Sequence, residues 1–466
     1  MHSLRVMLAP MRSLLSATLA FALASCASHA TRSVALYEHG DYTGAAQAAD
    51  DGLITRPDDA GLWGMRVRSA LALGDAEGVA RAYTAYTARR GGDDPELLRD
   101  LAEATIEQAL TSPSVRLKIL AIAAVEELQI NDLAESVAQA MGDADDRVQA
   151  AAAVAVLHGF AQAPQVAAEM LHSENAEARR IALEGVAKKI GKLAIADIEK
   201  GAVDPDPRVR AIAVRWLGQY NDRDAVEVCT KRLHDPDESV RAAAALALAK
   251  IGLGDLAAVA KLALADRALV VRLAGVAVLT MMKDGAQLAA LADDASPMIA
   301  LEAAIAVKQT HPELARQAIA KAVAADDWTV RAGAANSLAR ALDKEGVLAT
   351  GKRLSTDREL GVRLAAARAL AHAGDVDDAV AVFTAALASD RGIDAAADLG
   401  ALGDPRGLAS LADFARDPTR TAEQRAAAAT AHRVAHRVTA GLVAALADSS
   451  GLVRVQAAAT LDALAR

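Results

Sequence analysis

Cysteine and aromatic residues are scarce in this chain of 466 residues. Two cysteines cannot form a disulfide framework. Aromatic side chains make up 3% of the sequence, and the net charge is −9, from 51 basic and 60 acidic residues. A protein that binds nucleic acid presents basic charge to the phosphates and often aromatic rings to the bases. The composition therefore argues against nucleic acid as the main partner.

Motifs that carry chemistry are also missing. The sequence contains no phosphate loop, dinucleotide fingerprint, nucleophile elbow or CxxC pair. His432 and His436 have a spacing that can share a metal, but the neighbouring Arg433 and Arg437 oppose a cation, so we expect two solvated histidines. Cys229 is expected to be a buried, unpaired thiol. We predict no catalytic residue, no metal, no small-molecule substrate and no cofactor beyond a covalent lipid.

Long apolar runs are absent, with one shorter run near the amino terminus. No segment approaches the roughly 18 apolar residues of a transmembrane helix. Leu14 to Leu23 is apolar, follows the basic Arg5 and Arg12, and has the length of the central part of an export signal. This pattern predicts a cleaved signal peptide.

The end of that run, Leu23-Ala24-Ser25-Cys26, resembles the bacterial lipobox. The resemblance implies a signal over residues 1–25, a lipid on Cys26 and an anchor linker over 26–33. Ala27 follows, where an aspartate would retain some lipoproteins in the inner membrane, so we expect the outer membrane, facing the periplasm. An ordinary secretory signal or a buried amphipathic helix remains the alternative. Met1 and Met11 are both possible starts.

The dominant pattern is a repeated phrase in which an acidic residue, often with proline, precedes Val-Arg and a run of alanine and leucine. Val209, Val240 and Val271 are 31 residues apart. After Val209, apolar residues fall on one helical face. Alanine has the highest helix propensity, so the phrase predicts an all-α chain of stacked helical pairs. The aspartates are expected to cap the helices that follow them, and the caps so predicted are Asp204, Asp235, Asp326 and Asp357.

The Asp-Pro and Val-Arg phrase resembles the HEAT repeat, in the short bacterial form also found in phycobilisome-lyase-like proteins. The resemblance implies a right-handed α-solenoid of about twelve units over residues 111–466. It also implies a ladder of arginines paired with aspartates of neighbouring units. The ladder residues expected are Arg116, Arg179, Arg210, Arg241, Arg272, Arg331, Arg363, Arg425 and Arg454. Gln149, Ala300 and Asp394 interrupt it, through degeneracy of single repeats or at a bend or partner site.

An earlier segment has a different period. Gly40-Asp41 recurs as Gly74-Asp75, 34 residues later. This spacing resembles the tetratricopeptide repeat and predicts a separate helical segment over residues 34–110.

The face opposite the buried valines is expected either to be packed between helices or to form an exposed apolar groove. Its polar members are Arg215, Asn336 and Arg368, a possible partner face. The sequence thus predicts a membrane-anchored scaffold or adaptor for an unknown protein partner. An enzyme of the phycobilin-lyase-like class, or an assembly factor for an envelope complex, is the alternative.

Overall fold

A computed structural model of the chain describes residues 28–466, and the predicted lipidation residue Cys26 lies outside them. The described residues are helical with short connections and contain no strand, so the predicted all-α class is confirmed. They divide into two compact units. Unit 1 consists of residues 28–106 and 408–466, and unit 2 of residues 107–407. The predicted boundaries at 34–110 and 111–466 remain predictions.

Unit 1 combines helices from both ends of the chain. Its amino-terminal helices are α1 (His29–Glu38), α2 (Tyr42–Thr55), α3 (Ala60–Ala72), α4 (Ala76–Arg90) and most of α5 (Pro95–Leu110). Its carboxyl-terminal helices are most of α25 (Pro405–Arg416), then α26 (Ala422–Ala435), α27 (Ala440–Ala444) and α28 (Gly451–Ala465). Helices α4 and α27 pack against each other, and Arg416 lies 3.3 Å from Glu77.

The 34-residue spacing in unit 1 marks two identical helix junctions. Gly40 and Gly74 have φ values of 80° and 69°, a left-handed conformation that favours glycine. The next residues, Asp41 and Asp75, accept a hydrogen bond from the backbone N–H three residues on. The tetratricopeptide character of residues 34–110 remains a prediction.

Unit 2 is a stack of helical pairs. The second helix of each pair, called the B helix here, carries the Val-Arg phrase. The B helices are α6 (Val115–Leu128), α8 (Asp146–Ala155), α10 (Ala176–Ile190), α12 (Pro207–Gln219), α14 (Glu238–Ile251), α16 (Leu269–Met282), α18 (Pro297–Ala306), α20 (Trp328–Ala341), α22 (Leu360–Ala373) and α24 (Gly392–Ala401). The first helices are α7 (Ala134–Gln139), α9 (Ala163–Met170), α11 (Ile195–Gly201), α13 (Val226–Arg232), α15 (Leu256–Leu264), α17 (Gly285–Leu291), α19 (Pro312–Val323), α21 (Lys344–Leu354) and α23 (Val376–Ala386).

The core lies between these helices and is built mainly from alanine and branched aliphatic residues. Val209, Val240 and Val271 are almost completely buried. Small residues let successive B helices come close together. At Gly218 of α12, an added Cβ would lie 2.5 Å from the Cα of Ala247 in α14. Alanine therefore supplies helix propensity and close packing at the same positions.

The N-cap residues lie one or two residues after the predicted ones. Asp206, Asp237 and Asp327 are the N-cap residues of α12, α14 and α20, and each accepts a backbone N–H bond. Asp204 and Asp235 lie two residues earlier, where their carboxylates accept the N–H of Asp206 and Asp237. Two predicted caps are likewise displaced: Asp326 lies one residue before the true cap, and Asp357 lies two residues before Glu359, the N-cap of α22. Asp204, Asp235 and Asp357 instead pair with an arginine of the preceding repeat.

Within residues 28–466, no helix combines the length and apolar character needed to cross a membrane.

Candidate functional site

One geometry joins an arginine of each B helix to the loop of the next repeat. Nε and Nη2 of Arg210 donate to the two carboxylate oxygens of Asp235, at 2.9 and 2.7 Å. Its Nη1 donates to the carbonyls of Asp204 and Pro205, both at 2.9 Å. The guanidinium is thereby fixed on two sides. Asp235 has no exposed side-chain surface, so this pair is well shielded from water.

We call such an arginine and its aspartate a rung. Four further rungs have the same two parallel bonds, with N–O distances between 2.7 and 2.9 Å. They are Arg179–Asp204, Arg241–Asp266 and Arg331–Asp357 in unit 2, and Arg425–Asp448 in unit 1. Parallel bonds from a planar guanidinium to a carboxylate are strong and geometrically specific. The rungs therefore fix the spacing of neighbouring repeats.

The N-cap positions change the assignment of ladder residues in two helices. In the five rungs the arginine lies four residues after the N-cap. In α6 that position is Lys118, four residues after Ser114, and Lys118 binds Asp143. Arg116, predicted for the ladder, instead lines an apolar cavity. In α24 the ladder position is Ala395, and Asp394 pairs with Arg391 at 2.7 Å.

Three predicted ladder arginines hold only the two carbonyls of their own loop. Arg272 donates to the carbonyls of Asp266 and Arg267, at 3.1 and 2.9 Å. Arg363 and Arg454 make the same contacts. Among the described residues, no carboxylate lies within 4.0 Å of these guanidinium groups.

In three of the rungs the aspartate has a lowered pKa. Hydrogen bonding to Arg241 holds the pKa of Asp266 below its usual range, and Arg331 acts in the same way on Asp357. At Asp235, burial raises the pKa, but the bonds from Arg210 and the backbone outweigh it and the pKa is lowered. A charge held in this way in the interior is structural, since it is already neutralised by its partner.

The first apolar cavity of unit 2 has a volume of about 730 Å³ and lies over α6, α8 and α10. Ile119, Leu120, Ala123 and Ile181 form part of its apolar lining. Charged side chains at its rim form ion pairs with neighbouring residues. Arg147 lies 2.7 Å from Asp145, and Arg180 lies 2.7 Å from Glu177.

A second cavity, of about 360 Å³, lies over α12 and α14 and reaches the start of α16. It is lined by Ile212, Leu246 and Val270, among others, with Arg215 and Lys250 at its border. Val270 is 46% exposed, so an apolar side chain faces solvent at this site. The two cavities are called groove 1 and groove 2 below.

The three polar residues of the predicted partner face lie on α12, α20 and α22, and the partner face stays a prediction. Arg215 borders groove 2 and pairs with Glu184 at 2.8 Å. Arg368 pairs with Asp398 at 2.8 Å, and burial raises the pKa of that aspartate. Asn336 is exposed, farther along unit 2. An apolar groove on this face was one of the two expectations from the sequence. Ile212 and Val270, which also line groove 2, were not assigned to it, because sequence periodicity does not show which side chains of a B helix remain uncovered.

Two further residues were judged from sequence. His432 is not solvated: it is fully buried, and burial lowers its pKa. Cys229 is buried and free, and burial raises the pKa of its thiol to about 12. Residues 28–466 hold no cluster of three or more His, Cys, Asp or Glu side chains that could bind a metal.

Residues 194–280 match the HEAT repeats family. No curated protein matches the chain significantly. Among solved structures, similarity is found to the complex of CpcE and CpcF of phycocyanin lyase from a Nostoc species, with 21% identity over 49% of this chain and 94% of that one, and a TM-score of 0.31. The karyopherin Kap121p, bound to the extreme carboxyl terminus of the phosphatase Cdc14p, shows 13% identity over 84% of this chain and 52% of its own, with a TM-score of 0.33. These TM-scores support no inference about what this chain binds.

Proposed function

We propose that this chain is a membrane-anchored scaffold that binds a protein partner along grooves 1 and 2 of unit 2. The observation that carries the proposal is the pair of apolar cavities along successive B helices, from α6 to the start of α16. Stacked repeats present such extended surfaces, and exposed apolar patches rimmed by polar groups mark protein interaction sites.

The chemistry of the grooves favours a protein segment with apolar side chains. Their floors are alanine, leucine, isoleucine and valine, and the ionisable groups at the rim of groove 1 are neutralised by neighbours, as in the Arg180–Glu184 pair. A partner therefore gains little by bringing a charge to this rim, whereas each aliphatic side chain that enters removes apolar surface from water. An amphipathic helix with apolar residues three and four apart fits this demand.

The membrane anchor is a separate part of the proposal and rests on the sequence around Cys26. Helix α1 begins at His29, three residues after this cysteine. A lipid on Cys26 would thus hold unit 1 close to the bilayer surface. Stable anchoring needs more than one acyl chain, as lipoprotein modification supplies. An assembly factor for an envelope complex is a special case of this function, and the identity of the partner would decide it.

The groove is tested by capture of crosslinked partners from membranes that contain the full-length protein. Val270→Glu places a charge in the floor of groove 2, and we expect it to reduce recovery of the partner about tenfold. Leu262→Glu is the matched control, because Leu262 is 40% exposed on α15 but does not line either groove. Capture of no protein above background contradicts the scaffold function. An equal loss in both variants contradicts the groove as its site.

A further inference from the structure

The rungs of unit 2 follow a rule of complementarity between neighbouring repeats. The ladder position of a B helix is the residue four positions after its N-cap. When this residue is an arginine or a lysine, the loop before the next B helix contains an aspartate. That aspartate lies six residues before the ladder position of the next B helix. Arg210 with Asp235 and Arg241 with Asp266 are examples. Where the cation is absent, the aspartate is absent too, as two neutral positions show.

The first neutral position is Gln149, whose counterpart in the next loop is Ser173 instead of an aspartate. The second is Ala300, whose counterpart is Ala325. In each case the residue at the ladder position and its counterpart are both uncharged, so no unpaired charge is left at these two places in the ladder. A buried charge without a partner is strongly destabilising, which explains why the two are replaced together.

Arg363 is the exception. Its counterpart in the next loop is Ser389, whose hydroxyl donates to the carbonyl of Ala386 at 2.6 Å and accepts the N–H of Arg391 at 3.1 Å. Ser389 thus forms the same turn as the rung aspartates but supplies no charge. Arg272 differs, since Asp294 is still present in the loop that follows it.

The guanidinium of Arg363 is nevertheless held as in a complete rung. Its Nη1 donates to the carbonyls of Asp357 and Arg358, at 2.7 and 3.0 Å. The edge formed by Nε and Nη2 holds an aspartate in the complete rungs. At Arg363, none of the described residues brings a carboxylate within 4.0 Å of it. The side chain is partly exposed, and α22 and α24 come less close to each other than other successive B helices of unit 2.

We propose that the free edge of Arg363 binds a carboxylate of the protein partner, which takes the place of the missing rung aspartate. This deepens the scaffold function and rests on it. The Nε–H and Nη2–H groups of Arg363, which we call its fork, are already oriented to bind the two oxygens of one aspartate or glutamate side chain. Two of the loops that fill complete rungs contain Asp-Pro-Asp, at residues 204–206 and 235–237. An extended partner segment of this kind is therefore the expected ligand.

The first test restores the rung within the chain. Ser389→Asp should raise the melting temperature by about 2 °C or more, and only while Arg363 is present, so that Arg363→Gln abolishes the gain. Ser173→Asp is the control, because Ser173 is the counterpart of the neutral Gln149 and its hydroxyl donates to the carboxylate of Asp146, so that no arginine awaits the new charge. We expect no gain there. A gain from Ser389→Asp that is independent of Arg363, or no gain at all, overturns the proposal.

The second test uses a defined ligand, a capped peptide of sequence Gly-Asp-Pro-Asp-Gly, with its Asn-Pro-Asn counterpart as control. The Nε–H resonance of Arg363 should shift on titration with the acidic peptide. The Ser389→Asp variant should bind it at least about tenfold more weakly. Absence of a shift contradicts the proposal, as does a shift caused by inorganic phosphate and not by the peptide. The scaffold function fails separately, if crosslinking of the unaltered protein captures no partner.

Discussion

At the scale of single residues, the ladder arginines hold neighbouring repeats in register. Each complete rung joins two buried or half-buried charges through two parallel bonds, as Arg241 and Asp266 do at 2.7 and 2.9 Å. The third arm of the guanidinium binds its own loop. Removal of one partner leaves the other charge poorly solvated, so the two residues act as one structural element.

Asp266→Asn should lower the free energy of unfolding by about 2 kcal/mol at pH 7, and Arg241→Gln by a similar amount, with the double variant little worse than either. The folded pKa of Asp266 is lowered, so its contribution is present above pH about 4 and is lost as the pH falls through the folded pKa. Urea unfolding at pH 7 and pH 3 measures both effects. Fully additive losses would contradict a shared rung.

His432 gives a second prediction at this scale. Its Nδ1–H donates to the carbonyl of Ala428 at 2.9 Å, and the hydroxyl of Thr439 donates to Nε2 at 2.9 Å. Burial lowers its pKa, so its contribution to stability is complete above about pH 6.5 and falls as the pH drops below that value. Between pH 7.5 and 5.5, unfolding experiments should show a loss of up to about 1.4 kcal/mol that His432→Asn removes. The control is His158→Gln, because His158 is exposed. This variant should show the same pH-dependent loss of stability as the unaltered protein.

At the scale of helices, close packing of B helices depends on the small residues between them. Gly218 of α12 meets Ala247 of α14, and a Cβ at residue 218 would lie 2.7 Å from the Cβ of Ala247. Helix propensity favours alanine over glycine, but here the lack of space for a methyl group outweighs that preference.

Gly218→Ala should therefore destabilise the protein by about 1–3 kcal/mol despite the gain in helix propensity. Gly285→Ala is the control, because Gly285 lies in helix α17 and an added Cβ there meets nothing within 4 Å. We expect the control to be neutral or slightly stabilising. Thermal unfolding of both variants measures the difference, and equal melting temperatures would show that α12 and α14 can move apart without cost.

At the scale of the whole molecule, unit 1 contains both ends of the described chain and unit 2 the repeats between them. The proposed functions are divided in the same way. Grooves 1 and 2 and the fork of Arg363 lie in unit 2, while unit 1 begins next to the predicted lipid on Cys26.

Cys26→Ser should release the protein from the membrane into the soluble fraction, because the lipid would be the main attachment. Fractionation of cells and labelling with a palmitate analogue measure the change. Cys229→Ser is the control, since this thiol is buried in α13 and should carry no lipid. Continued attachment of the Cys26→Ser protein to membranes would refute the anchor.

The sequence alone determined the helical class, the period and the residue types of the ladder. Periodicity reports these features directly, because Val240 and Arg241 recur with the repeat. The assignment of individual residues to ladder positions was less secure. Arg116 and Asp394 were assigned by the Val-Arg pattern, whereas the N-cap positions show that Lys118 and Ala395 are the ladder residues. The capping aspartate was misjudged for the same reason, since Asp-x-Asp offers two carboxylates with different roles.

Only the tertiary structure decided which charges are satisfied and which surfaces stay open. Whether an arginine finds its aspartate depends on how far the next loop lies from it, as the contrast between Arg331 and Arg272 shows. Burial of His432 and exposure of Val270 likewise depend on neighbours distant in the chain. A repeated sequence fixes the interactions that every repeat shares, but the differences between repeats appear only once their helices are packed together.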